Sequence, residues 1–167
     1  FGGPGILLEL DAGPEPTVLD LPRLDDDPLV LITPICFEAT VPSVTRSLFR
    51  SGSGVSSPDL IVNLTNDGWF GDIDGGRSSH AQAARFRCIE LRTPMIRCAN
   101  TGQSGLFDSS GRLVASLPSR EGGVLLAEPM GDSRRTLYVL VGNLVPVSCL
   151  LFAVLSCLLT LKSARSE

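Results

Sequence analysis

The chain has 167 residues and a hydrophobic fraction of 43%, enough for a single domain with its own core. Its formal net charge is −4, its pI is near 5.0, and no Lys/Arg cluster is interleaved with aromatics. The electrostatic footprint of a nucleic-acid-binding protein is therefore absent. Five cysteines (Cys36, Cys88, Cys98, Cys149 and Cys157) show no CxxC or Cys/His spacing, so no metal site and no cofactor is expected.

The N-terminal stretch FGGPGILLEL lacks the basic and long apolar regions of an export signal. The chain starts at Phe1, with no methionine before Gly2, and is expected to be a piece of a longer protein or a processed product. Residues 1–28 are rich in Gly, Pro and Asp and predict one short strand, Gly5 to Leu10, in an otherwise irregular segment. Leu29 to Ile35 is a continuous, partly β-branched apolar run, the pattern of a strand buried on both faces. Thr40 is placed to cap a helix that starts at Val41 or Pro42 and runs to about Arg50, stopped by SGSG. Leu60 to Leu64 is a second buried strand, followed by the turn-rich TNDGWFGD.

Ser79 to Arg92 predicts a helix, with Ala81, Ala84, Cys88 and Leu91 on one stripe and Pro94 ending it. Glu90 stands among arginines as an ion-pairing residue. Met95 to Ala99 is a strand, Leu106 to Asp108 and Leu113 to Leu117 form a hairpin, and Val124 to Ala127 is a last short strand. This order suggests an α/β layered domain with a mixed sheet over residues 29–135. From Leu137 to Leu161 there is no charged residue. A run of roughly 25 residues can cross a bilayer of about 30 Å, so a transmembrane helix is expected over 136–161, then a short tail, 162–167. Basic residues flank it on both sides, which leaves its orientation open.

Cys36 lies where strand meets helix. There it is either a buried, inert thiol or a nucleophile whose thiolate is stabilised by a helix N-terminus. Glu38 either orients a partner or stabilises the first turn. Trp69 and Phe70 either line a path beside the thiol or pack a turn, Asn66 and Asp67 fix that turn, and Asn100 and Gly102 form another near the rim of the site. His80, the only histidine, suggests a Cys/His pair but more simply belongs to a helix start.

Taken together, ICFE, NLTNDGWFGD and HAQAARFRCIELRTPMIRCANTGQSGLFDSSGRL, followed by an apolar span, resemble the carbon-nitrogen hydrolase (nitrilase) superfamily. More narrowly, they resemble the C-terminal half of the bacterial apolipoprotein N-acyltransferases. The resemblance implies the second half of an α-β-β-α sandwich ending in one membrane helix, a Glu-Lys-Cys triad and no cofactor. It implies a place in the cytoplasmic membrane with the catalytic domain on the periplasmic face. Cys36 matches the nucleophile, which would take a fatty acyl group from a phospholipid as a thioester and pass it to the diacylglyceryl-cysteine amine of an apolipoprotein. The N–H of Phe37 would serve the oxyanion, although tyrosine is common at that position, and Glu38 would play a supporting part. Trp69 and Phe70 would contact substrate.

Lys162 is the only lysine and follows the apolar span, so no residue here matches the triad lysine. The triad Glu and Lys are expected on sequence outside this chain, which alone is expected to be inactive and unstable. Two alternatives remain: a membrane-tethered amidase of the same superfamily, and a truncated, catalytically dead membrane protein acting as an interaction partner.

Overall fold

The computed structural model describes residues 15–24, 26–52, 57–118 and 120–164. The strand expected over Gly5 to Leu10 and the end of the tail lie outside them. Six strands form one mixed sheet in sequential order: β1 (Leu19–Leu21), β2 (Leu29–Ile32), β3 (Leu60–Thr65), β4 (Met95–Ala99), β5 (Gly105–Phe107) and β6 (Leu113–Ser116). The pairs β2/β3 and β3/β4 are parallel and the others antiparallel. The parallel strands need crossovers, supplied by α1 (Pro42–Gly52) and α2 (Asp74–Leu91).

Register explains which side chains are covered. Ile32, Ile61, Met95 and Phe107 are aligned across the sheet and fully or almost fully buried, on the face that meets the helices. The stripe Ala81, Ala84, Cys88 and Leu91 of α2 is buried in the same core, as its spacing predicts. The opposite face is less well covered. Leu64 is 57% exposed, its neighbour Cys98 is also exposed, and Ile96, Leu106, Leu117, Val124 and Ala127 line a groove of about 300 Å³.

Several sequence expectations shift. Helix α2 begins five residues before Ser79 and takes in Gly75 and Gly76, because Gly76 lies against the Phe70 ring where a Cβ would collide. Strand β1 was not foreseen, and Val124 to Ala127 forms no strand: Val124 and Leu126 are exposed and unpaired with the sheet. The Thr40 hydroxyl does not cap α1 but donates back to the carbonyl of Phe37 at 2.8 Å.

The expected single membrane helix over 136–161 is also corrected. Thr136 caps a short helix, α3 (Leu137–Val141), whose Val139 is 5% exposed in the core. Gly142 then adopts φ +58° and breaks the run. Arg46 of α1 secures the break: its Nε donates to the carbonyls of Tyr138 and Val139 at 3.0 and 3.1 Å, and its Nη2 to Leu140 at 2.9 Å. The chain resumes as α4 (Leu144–Ala164). The break removes the first apolar turns from the run, and among the described residues no helix is long and apolar enough to cross a membrane. Helix α4 nevertheless exposes Leu150, Leu151, Phe152, Leu155 and Leu158, each more than half accessible.

Candidate active site

Strand β2 ends at Ile32, and Thr33 to Ile35 carry the chain to a 3₁₀ turn, Cys36–Thr40. Cys36 opens that turn with φ +49°. A non-glycine residue in the left-handed region is held there by its surroundings. Two contacts do so here. Glu38 Oε2 accepts from the N–H of Ile35 at 2.8 Å. The buried Asn63 amide donates to the carbonyls of Pro34 and Cys36 at 2.7 and 3.5 Å.

The thiol is half-buried and hydrogen-bonded by the Thr65 hydroxyl and by the N–H groups of Asn66 and Phe37. The Thr65 hydroxyl does most to hold its pKa below the ordinary thiol value, against partial burial and the Asp67 carboxylate. Helix α1 starts only at Pro42, so the end of β3 and the turn itself, rather than a helix N-terminus, stabilise the thiolate. The other cysteines differ. Cys88 is fully buried and burial pushes its thiol up to about 12.

Beside the thiol lies a buried polar cluster. Asp67, 0% exposed, accepts from Arg97 Nη2 at 2.9 Å and lies 2.7 Å from His80 Nδ1. Thr65 Oγ1 donates to the same carboxylate at 3.2 Å. Arg97, 1% exposed, also donates to Asn63 Oδ1. His80 Nδ1 faces both the Asp67 carboxylate and, at 3.3 Å, Arg97 Nη2, and its buried Nε2 has no hydrogen-bond partner among the described residues. Asn100 closes the rim: its Oδ1 accepts from the Asp67 N–H at 2.9 Å and its amide donates to Asn66 Oδ1. Gly102 lies against the Asp67 carboxylate, leaving no room for a Cβ.

A run of rings starts next to the nucleophile. Phe37 lies 6.3 Å from His80, His80 lies 5.7 Å from Phe70, and Phe70 stacks on Trp69 at 4.1 Å. Phe37 and Trp69 are 61% and 63% exposed. The structure thus sets Phe37 and Glu38 on the turn of Cys36, and Trp69 and Phe70 on a run of rings that reaches Phe37 through His80. Glu90 lies elsewhere on α2 and pairs with Arg87 at 2.8 Å.

Asp67 and Arg97 do more than sequence reasoning assigned to them. Two signals point that way. A charged residue interrupts the buried strand MIRCA, and an acid lies two residues past the end of the strand LIVNLT. A charge at such positions requires a partner.

Comparison with curated proteins finds relatives along most of the chain. Apolipoprotein N-acyltransferase of Chlorobaculum tepidum is 37% identical over 138 residues, covering 83% of this chain and 25% of the relative. The protein of the same name from Bradyrhizobium diazoefficiens is 43% identical over 116 residues, covering 70% and 20%. This chain is a relative of the apolipoprotein N-acyltransferases. It spans about a quarter or less of the length of these family members. No family model matches the chain. Among solved structures, a nitrilase-superfamily protein of Saccharomyces cerevisiae aligns with TM-score 0.47 and 18% identity over 68% of this chain and 40% of its own, too partial a likeness to bear on function.

Proposed function

We propose that Cys36 is the nucleophile of an acyl transfer from a phospholipid to the N-terminal amine of an apolipoprotein's diacylglyceryl-cysteine. The observation that carries this reading is a thiol held at φ +49°, with the Thr65 hydroxyl and the N–H groups of Asn66 and Phe37 close enough to lower its pKa. It opens beside the exposed ring of Phe37. Proteins of the apolipoprotein N-acyltransferase name align across this region of the chain.

The thiolate attacks the carbonyl carbon of the sn-1 ester, and negative charge collects on the carbonyl oxygen. The N–H of Phe37 is the local donor for that oxygen. The ester C–O bond breaks, the lysophospholipid alkoxide leaves with a proton, and the acyl group stays on sulfur. The amine then attacks the thioester, the C–S bond breaks, the amine's proton passes to a base, and Cys36 returns as thiolate with an amide formed. Glu38 supports the step through its bond to the Ile35 N–H, which shapes the elbow. Phe37, Trp69 and Phe70 are apolar surfaces for the acyl chain.

The triad Glu and Lys of the resemblance are placed outside this sequence, whose only lysine lies on α4. The chain alone is accordingly inactive. The exposed apolar side chains of α4 attach the domain to the bacterial inner membrane, with the site on its outer face.

The test is mass spectrometry of the native protein recovered from membranes through its Cys36 peptide. Expected are a species heavier than 17.7 kDa, a hydroxylamine-labile acyl group on Cys36 after incubation with phospholipid, and an N-acylated lipopeptide product. Ammonia released from a small amide would favour the amidase instead. Unchanged lipoprotein N-acylation in Cys36→Ala would leave a catalytically dead protein.

A further inference from the structure

The cluster beneath Cys36 reaches the nucleophile from two directions. Strands β3 and β4 are parallel with Asn63 and Arg97 in register, so both side chains fall on one face. Arg97 donates to the Asn63 carbonyl oxygen, which fixes the amide so that its nitrogen faces the carbonyls of Pro34 and Cys36. That is the main-chain route. The second runs through Asp67, which Arg97 engages at 2.9 and 3.2 Å. Thr65 has one hydroxyl proton, and both Asp67 Oδ1 and the Cys36 sulfur lie within its reach.

We propose that Arg97 is a positioning residue for Cys36: it orients the Asn63 amide that holds the elbow, and by pairing with Asp67 it neutralises a carboxylate close to the thiol. The proposal rests on the acyltransferase reading, in which Cys36 reacts as a thiolate. The charged and titratable groups around the thiol are Asp67 on the β3–α2 connection, Arg97 on β4, His80 on α2 and Glu38 on its own turn. Unpaired, Asp67 would disfavour the thiolate through its charge.

The experiment is peptide-resolved alkylation of the native protein recovered from membranes, by iodoacetamide across pH. Cys88, fully buried, reports an intact fold by staying protected. Arg97→Met should slow Cys36 alkylation at pH 7 by about tenfold, a midpoint raised by about one unit, with Cys88 still protected. Arg97→Lys should recover part of that loss, because a point charge replaces a fork. Asp67→Asn alone should act in the opposite sense and accelerate Cys36 above wild type, leaving Arg97 as an unneutralised cation. If Arg97→Met exposes Cys88, the Asp67→Asn rate decides. An unchanged Cys36 profile in Asp67→Asn, or in Arg97→Met with Cys88 protected, overturns the proposal. Thiol alkylation and thioester formation are read separately. Failure of phospholipid to acylate Cys36 in the native protein, with the Arg97 effect intact, would overturn the acyltransferase reading and spare the positioning role.

Discussion

Replacing Gly102 by alanine tests the buried cluster without touching any of its polar atoms. A Cβ built at Gly102 falls 1.9 Å from Asp67 Oδ2 and 2.8 Å from its carboxyl carbon, where side chains do not approach within 3.0 Å. The carboxylate must therefore retreat by about 1 Å, which takes bonds of 2.7 Å to His80 and 2.9 Å to Arg97 beyond hydrogen-bonding range. Breaking a buried charge pair costs about 3–5 kcal/mol, and partial relaxation puts Gly102→Ala near 3 kcal/mol. For a chain of this size that is a fall in Tm of about 6–12 °C by calorimetry. Cys36 alkylation should slow in the same variant, because the Thr65 hydroxyl follows the carboxylate. A Tm within about 2 °C of wild type would refute the reasoning, since it would mean that the carboxylate moves aside at no cost.

Ile61→Ala, at a residue with 0% exposure where β3 meets the helices, should cost about 2–4 kcal/mol, read as a lowered denaturation midpoint. Arg46→Ala should leave the carbonyls of Tyr138, Val139 and Leu140 without their partner. Hydrogen exchange should then show α3 amides losing protection while β3 and β4 keep theirs; equal loss across all three would argue against a local clamp. Cys88 sets an alkaline limit. Its thiol is raised from 9.0 to about 12, so its contribution to stability is complete below pH 9 and is lost as pH rises towards 12. A pH titration of unfolding should show this loss, by up to about 1.4 kcal/mol per unit, and Cys88→Ala should flatten it.

The framework was legible because it rests on local patterns. Apolar runs marked β2, β3 and β4, and a stripe at helical spacing marked the buried side of α2, since burial on one face imposes a period on the chain. The position of Cys36 after a buried strand left an inert thiol and a nucleophile both open, and the resemblance of ICFE and the motifs after it singled it out. The continuous uncharged stretch from Leu137 was legible as apolar, but not its division. The break at Gly142 depends on Arg46, more than ninety residues earlier, reaching the carbonyls of α3.

The sequence by itself determined β2, β3 and β4 and the buried stripe of α2, because each depends on hydrophobic spacing, and it marked Cys36 as a candidate nucleophile. Only the tertiary structure decided what surrounds that nucleophile. Asp67 and Arg97 are thirty residues apart and meet because the parallel register of β3 and β4 sets Arg97 beside Asn63 and the turn after β3 brings Asp67 to it. In the unfolded chain each would be an ordinary solvated charge. Excluded from water, they bind each other, and through Asn63 and Thr65 they reach the Cys36 elbow.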